Sequence, residues 1–185
     1  NNDMKVITRD WIEELLMYAQ RPDVAAVGGK LYYADNTIQH AGIVIGLGAH
    51  RAAGHTHYKD DKMHLGYMGR LCYAQDVTAV TGACLLVSRA QYDEVGGLDE
   101  EFRVAFNDVD FCLKLRHAGY LNVFTPFAEL YHYESKTRGM EEGEKQKRFQ
   151  QEVDLFRKQW KADLDAGDPY FNPNFSLDYS DYTIK

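Results

Sequence analysis

The chain has 185 residues, of which 45% are apolar, 26% charged and 13% aromatic. That is enough for one domain with a real core and too little for two, in a composition far from that of disordered chains. A net charge of −7 argues against a nucleic-acid partner, which needs a basic footprint, and no apolar run is long enough to span a bilayer.

The polar triplet Asn1-Asn2-Asp3 runs straight into a strand-like Met4 to Ile7. Asp10 followed by Glu13 has the spacing of a capping box, and Trp11, Ile12, Leu15, Leu16 and Ala19 recur at helical period until Arg21-Pro22. Val24 to Val27 reads as a short strand stopped by Gly28-Gly29. Leu31 to Tyr33 and Ile43 to Ile45 read as further strands, joined through the polar turn Ala34 to Thr37. From Gly46 to Arg70 no period survives, which predicts a long loop carrying His50, His55, His57 and His64. His55-x-His57 is the tightest histidine pair there; without carboxylate or cysteine companions it reads as loop surface before metal site.

Thr78 to Val87 is a continuous apolar run that suits a strand covered on both faces. Ser88 followed by Gln91 is a second capping box, and Gly96-Gly97 closes the short helix it begins. A third helix starts at Asn107 or Asp108 and ends at Gly119. A strand at Tyr120 to Phe124 and another near Leu130 flank Pro126. A last helix from about Glu142 to Leu164 carries one apolar stripe of Phe149, Val153, Phe156, Trp160 and Leu164. The aromatic tail after it reads as ordered coil wrapped on the domain. Cys72, Cys84 and Cys112 are widely spaced among apolar neighbours, and read as buried free thiols of a reducing compartment.

Chemistry concentrates in Phe106-Asn107-Asp108-Val109-Asp110. Two carboxylates two residues apart on a helix point roughly 200° apart, so they cannot serve one site together. Asp108, in the first turn, is favoured as an anion by the helix dipole and could accept a proton from an attacking hydroxyl. Equally, Asn107 and Asp108 could simply cap the helix. Asp3 is a carboxylate suited to Mg²⁺ or Mn²⁺, or a surface residue at a chain end. His132 precedes a polar loop with Ser135, Lys136, Thr137 and Arg138, whose cations and hydroxyls suit a diphosphate.

Taken in order, "NND", "VITRDWIEELLMYAQRPDVAAVGGKLYYADNTIQHAGIVIG", "VTGACLLVSRAQYDEVGGLDEEF", "FNDVDFCLKLRHAGY" and "PFAELYHYESKTRG" resemble the family 2 inverting glycosyltransferases. More narrowly they resemble bacterial rhamnosyltransferase-like enzymes of surface-polysaccharide synthesis, and the resemblance spans nearly the whole chain. It implies an α/β, GT-A-like mixed sheet flanked by helices, lacking the family's N-terminal nucleotide-binding half. The expectation is a single domain over 1–185: a core at 1–140 with the site motifs, then a helix and wrapping tail at 141–185.

By that resemblance Asn1-Asn2-Asp3 matches the DxD-type motif. Asp3 and His132 are then ligands for Mn²⁺ or Mg²⁺, and Ser135 and Arg138 contact the diphosphate. Asp108 matches the general base, Asp110 and Asn107 are supporting or acceptor contacts, and Thr81 and Gly82 lie beneath the site. Asn107 departs from the family's usual Glu. The implied partners are a nucleotide-sugar donor, a glycan or lipid-linked glycan acceptor, and the missing N-terminal half, without which the chain is expected to be inactive. The implied location is cytoplasmic or peripheral on the inner membrane face. A non-catalytic glycan-binding or assembly module that kept the fold is the competing expectation.

Overall fold

The computed structural model describes residues 1–133 and 143–185. Its strands are β1 (Met4–Val6), β2 (Val24–Tyr32), β3 (Ile38–His40), β4 (Ile43–Ile45), β5 (Ala53–His55), β6 (Gln75–Val77), β7 (Leu85–Leu86) and β8 (Leu121–His132). Its helices are α1 (Trp11–Ala19), α2 (Arg89–Glu94), α3 (Asn107–His117), α4 (Glu144–Gln159) and α5 (Lys161–Ala166). The expected mixed α/β architecture is present.

The sheet is built around a parallel pair, β2 and β8. Every residue of β2 is buried, as a strand covered on both faces must be. β3 and β7 pair antiparallel with β2, while β1 and β6 pair antiparallel with the two ends of β8. One face packs Val24, Val27, Leu31, Val123 and Leu130 under Leu15 of α1. The other packs Ala25, Tyr32, Val80 and Phe124 against Phe111 and Leu115 of α3 and Val153 and Phe156 of α4. Helices thus cover both faces of one sheet, which buries the strand and helix stripes together.

Gly28 and Gly29 do not stop β2 but lie inside it. A Cβ on Gly28 would come 2.6 Å from Val80 Cβ, and one on Gly29 would come 2.4 Å from the Ala128 carbonyl oxygen. Glycine here reports close packing of neighbouring chain. Beside Gly29 the β2–β8 register jumps from Gly29–Thr125 to Lys30–Glu129, so Pro126, Phe127 and Ala128 bulge out. The two strands expected on either side of Pro126 are therefore one strand, with the proline placed where no ladder N–H is needed. Thr8 satisfies the bulge: its hydroxyl donates to Phe127 O (2.9 Å) and accepts from Glu129 N–H (3.0 Å).

Other expectations are corrected in the same way. Thr78 to Val87 is not one strand: it turns at Gly82-Ala83, where Cys84 N–H closes onto Thr81 O (3.3 Å), and only Leu85–Leu86 rejoins β2. The Gly46–Arg70 stretch contains β5, paired with β4, and a 3₁₀ turn at Tyr67–Gly69. Asp10 makes no side-chain cap because its backbone (φ −102°, ψ 33°) is not extended, whereas Ser88 Oγ accepts Gln91 N–H at 3.2 Å as expected. The last helix breaks at Trp160 (φ −102°, ψ 24°), and its expected start at Glu142 lies outside the described residues. Cys84 and Cys112 are buried free thiols; Cys72 is exposed, not buried.

The tail lies against β4, where Phe171 and Tyr182 pack on Val44 and Leu47 and Asp168 Oδ2 accepts Ile45 N–H (2.9 Å). It also covers His57, whose N–H donates to Ser180 O (2.7 Å) and whose ring lies 5.0 Å from that of Tyr182. Among the described residues no helix is long and apolar enough to cross a membrane.

Two outcomes follow from this packing. Gly29→Ala, forced against backbone, should cost about 1–3 kcal/mol and lower the melting temperature by several degrees, read by calorimetry. Burial, and then the His64, Arg70 and Lys30 charges, hold the His57 imidazole at about 4, well below its ordinary 6.5. His57 therefore stabilises the fold fully above pH 6.5, and that stability is lost as pH falls toward 4, by about 3 kcal/mol. Between pH 7.5 and 5 the wild-type melting temperature should fall further than that of His57→Gln; equal falls would remove His57 as the cause.

Candidate functional site

A cleft of about 720 Å³ opens between the Thr81–Ala83 turn, the Arg103–Val109 segment, the β4–β5 hairpin and the C-terminal end of β8. Asp108 and His132 both line it, as do Asn1, Gln39, His55 and Phe149.

The wall around Asp108 is built by the start of α3. Phe106 takes a left-handed conformation (φ 64°, ψ −1°) and turns the chain into the helix. Asn107 Oδ1 then accepts Asp108 N–H (2.8 Å), and Asp108 Oδ1 accepts Val109 N–H (2.9 Å). Both side chains thus satisfy first-turn amides from within the helix, while the N-cap position is Phe106, which has no side-chain cap. Asp108 does more, because its second oxygen crosses to the Thr81–Ala83 turn and accepts Gly82 N–H at 2.8 Å. A Cβ on Gly82 would sit 3.4 Å from Asp108 Cβ, so the turn lies directly against this carboxylate. The result is a half-buried carboxylate, fixed by two backbone donors, on the cleft wall.

At the other end, β1 and β8 align Met4 with His132, and Tyr133 N–H donates to Asp3 O (2.9 Å). This register brings His132 Nε2 within 3.4 Å of Asp3 Oδ1 and 3.3 Å of Asn1 Nδ2. The buried ring of His132 meets Gln39 Oε1 through Nδ1 at 2.8 Å. An amide oxygen can only accept, so Nδ1 carries the proton, and in the neutral ring Nε2 presents its lone pair to the Asn1 amide N–H beside Asp3. A bare Nε2 in this place could ligate a metal, with Gln39 as its outer support. One imidazole and one carboxylate suit Mn²⁺ better than all-oxygen Mg²⁺ sites do. Among the described residues no group of three or more His, Cys, Asp or Glu could hold a metal ion, so Asp3 and His132 would be its two protein ligands.

The remaining expected residues divide clearly. Thr81 and Gly82 line the cleft beside Asp108, and Asn107 lines it too. Asp110 is fully buried and does not line the cleft: Oδ1 accepts from Gln159 Nε2 (2.7 Å) and Trp160 Nε1 (3.0 Å), and Oδ2 pairs with Lys114 (2.7 Å). Its place in a two-residue spacing sends it away from Asp108, and it supports the joint between α4 and α5. Ser135 and Arg138 lie outside the described residues.

Sequence reasoning missed Gln39, His40 and Glu152. Gln39 and His40 were hidden in a segment read as a connection between strands. His40 Nδ1 lies 2.9 Å from His55 Nδ1, and burial, then the neighbouring His55, pushes the His40 imidazole well below its usual range. Glu152 was visible only as one of the many charges beside the apolar stripe of that helix.

Comparison with known proteins gives a consistent picture. Residues 2–151 match a family described as "Glycosyltransferase like family 2". Over its whole length the chain is 52% identical to a Sinorhizobium fredii protein named "Uncharacterized protein y4gI", covering 20% of that protein. It is 34% identical to the "O-antigen biosynthesis protein RfbC" of Myxococcus xanthus, covering 14% of it. A 60-residue stretch is 40% identical to the "N-acetylglucosaminyl-diphospho-decaprenol L-rhamnosyltransferase" of Mycobacterium tuberculosis, involving 32% of this chain and 20% of that protein. The chain therefore spans a fifth or less of the length of the first two of these relatives.

The tautomer assignment is testable directly. In ¹⁵N-histidine spectra at pH 8, His132 should show a protonated Nδ1 and a bare Nε2, and Gln39→Leu should abolish that preference. A protonated Nε2 in the wild type would contradict the proposed ligand orientation.

Proposed function

Because the chain belongs to the glycosyltransferase-like family 2, we propose that it carries the acceptor-side catalytic site of an inverting transfer from a nucleotide-diphosphate sugar to a glycan hydroxyl. The chain is a glycosyltransferase family member, and its curled mixed sheet flanked by helices is GT-A-like. Relatives named for O-antigen biosynthesis and for rhamnosyl transfer support a role in polysaccharide synthesis. The observation that carries the site assignment is that Asp108 and His132 line one cleft, each held by a partner that sets its chemistry.

Asp108 is the general base in this reading. Its two backbone donors stabilise and orient the carboxylate in advance, so no reorganisation is needed when the acceptor arrives. The acceptor hydroxyl gives its proton to Asp108 as its oxygen bonds to the anomeric carbon. The bond from that carbon to the diphosphate oxygen breaks on the opposite face, so the configuration inverts. Asp3 and His132 are the residues that would hold Mn²⁺ or Mg²⁺, which when bound supplies charge neutralisation for the leaving diphosphate. Phe106 and Phe149 give the cleft an apolar wall against which a sugar ring or the lipid of a linked acceptor can lie.

The test contrasts two carboxylates of one helix. In a transfer assay on the chain joined to its nucleotide-binding half, with a panel of nucleotide sugars and a polyprenyl-diphosphate-linked acceptor, Asp108→Asn should lower kcat on the order of 10²–10⁴-fold and leave donor affinity unchanged. Asp110→Asn should lower the melting temperature and spare kcat in the folded fraction. Retained transfer by Asp108→Asn would remove the base assignment and favour the non-catalytic glycan-binding alternative.

A further inference from the structure

The segment that delivers Asp108 to the cleft is not held by its own helix. Arg103, Val104 and Ala105 form a loop along the cleft wall, and their three consecutive backbone N–H groups converge on one side chain of α4. Glu152 Oε1 accepts Arg103 N–H (3.2 Å), and Oε2 accepts Val104 N–H (3.2 Å) and Ala105 N–H (2.7 Å). Glu152 is only 4% exposed, so these bonds are shielded from water. No other bond to these three amides is present among the described residues.

The next residue is Phe106, whose φ of 64° is a strained conformation for a bulky side chain. Its ring is flanked by two more residues of α4, with centroids 5.9 Å from Phe149 and 5.0 Å from Phe156, at interplanar angles of 29° and 27°. Phe149, Glu152 and Phe156 are spaced three and four apart, which places them on one helix face. That face therefore grips the loop twice, through its amides and through the strained aromatic. Immediately beyond lie Asn107 and Asp108.

We propose that Glu152 is a positioning residue: its carboxylate clamps the Arg103–Ala105 amides, holds Phe106 in its left-handed turn, and so sets the Asp108 carboxylate against Gly82. The catalytic consequence rests on the reading of Asp108 as the base; the clamp itself does not. A carboxylate is needed because all three partners are donors. Glu152→Gln keeps the volume but turns one acceptor oxygen into a donor, which must face an N–H. Glu152→Asp keeps the charge but shortens the reach by one methylene.

The reporters are the Gly82 and Val109 amides, which bond the two oxygens of Asp108. In ¹H–¹⁵N spectra of the whole chain, Glu152→Gln should shift both signals and raise their exchange rates about tenfold. Leu130→Ala, a truncation on the opposite face of the sheet, should lower the melting temperature and leave both signals in place. If Glu152→Gln does not fold, Glu152→Asp is read by the same two signals with the same expectation. Unchanged Gly82 and Val109 amides in a folded Glu152 variant overturn the proposal, as do equal changes in Leu130→Ala. In the transfer assay, Glu152→Gln should lower kcat on the order of 10²-fold with donor KM unchanged. If the wild-type chain joined to its nucleotide-binding half transfers nothing, the glycosyl-transfer reading fails while the amide signals still decide the clamp.

Discussion

The parallel pairing of β2 with β8 is the constraint from which the rest of the molecule takes its geometry. β8 runs from the end of α3 to His132, so a single strand connects the helix that carries Asp108 with the residue facing Asp3. Its 12 residues stay in the sheet only because Pro126 to Ala128 leave the ladder at one bulge. That bulge requires Gly29 opposite it and the Thr8 side chain across it. A change in register at this point would move His132 relative to β1 and separate it from Asp3. Core packing and site geometry are thus set by the same hydrogen-bond ladder.

On this frame the site is assembled from groups that each need help from another element. Asp108 needs the turn at Gly82, His132 needs Gln39 on β3, and the loop before α3 needs Glu152 on α4. None of these supports is local in sequence. The buried Asn122 adds a further tie, donating from Nδ2 to both Thr78 O and Cys112 O at 2.9 Å. It joins α3 to the segment leading into the Gly82 turn, so both sides of the Asp108–Gly82 contact rest on one side chain of β8. Preorganisation of this kind suits the proton transfer to Asp108 that we propose.

How much of this could be read in advance depended on whether the signal was local. The α1 and α3 periodicities and the Ser88 cap were legible, because helices are specified by neighbours three and four apart. The Gly28-Gly29 pair was read as a stop because a glycine doublet usually is one. Its actual cause, close approach of Val80 and Ala128, lies elsewhere in the chain. Thr78 to Val87 looked like a buried strand by composition, but its turn is fixed by Asp108, which no local pattern reveals. The divergence of Asp108 and Asp110 followed from helix geometry alone, and Asp110 indeed points into the α4–α5 joint. The nearness of Asp3 and His132 was implied only by family resemblance, and the strand register supplies its physical reason. Glu152 left no distinct trace, because it is one charge among many on that helix and its three partners lie some 47 to 49 residues earlier in the chain.

The central claim is that one cleft holds a base at Asp108 and a divalent-cation site at Asp3 and His132. Crystals grown with Mn²⁺ and a nucleoside diphosphate, measured for manganese anomalous scattering, test it most directly. The account predicts one strong peak within bonding distance of Asp3 Oδ1 and His132 Nε2, with diphosphate oxygens completing the shell on the cleft side. A peak at the histidines of the 50–64 loop, or diphosphate bound away from the wall that carries Asp108, would contradict it.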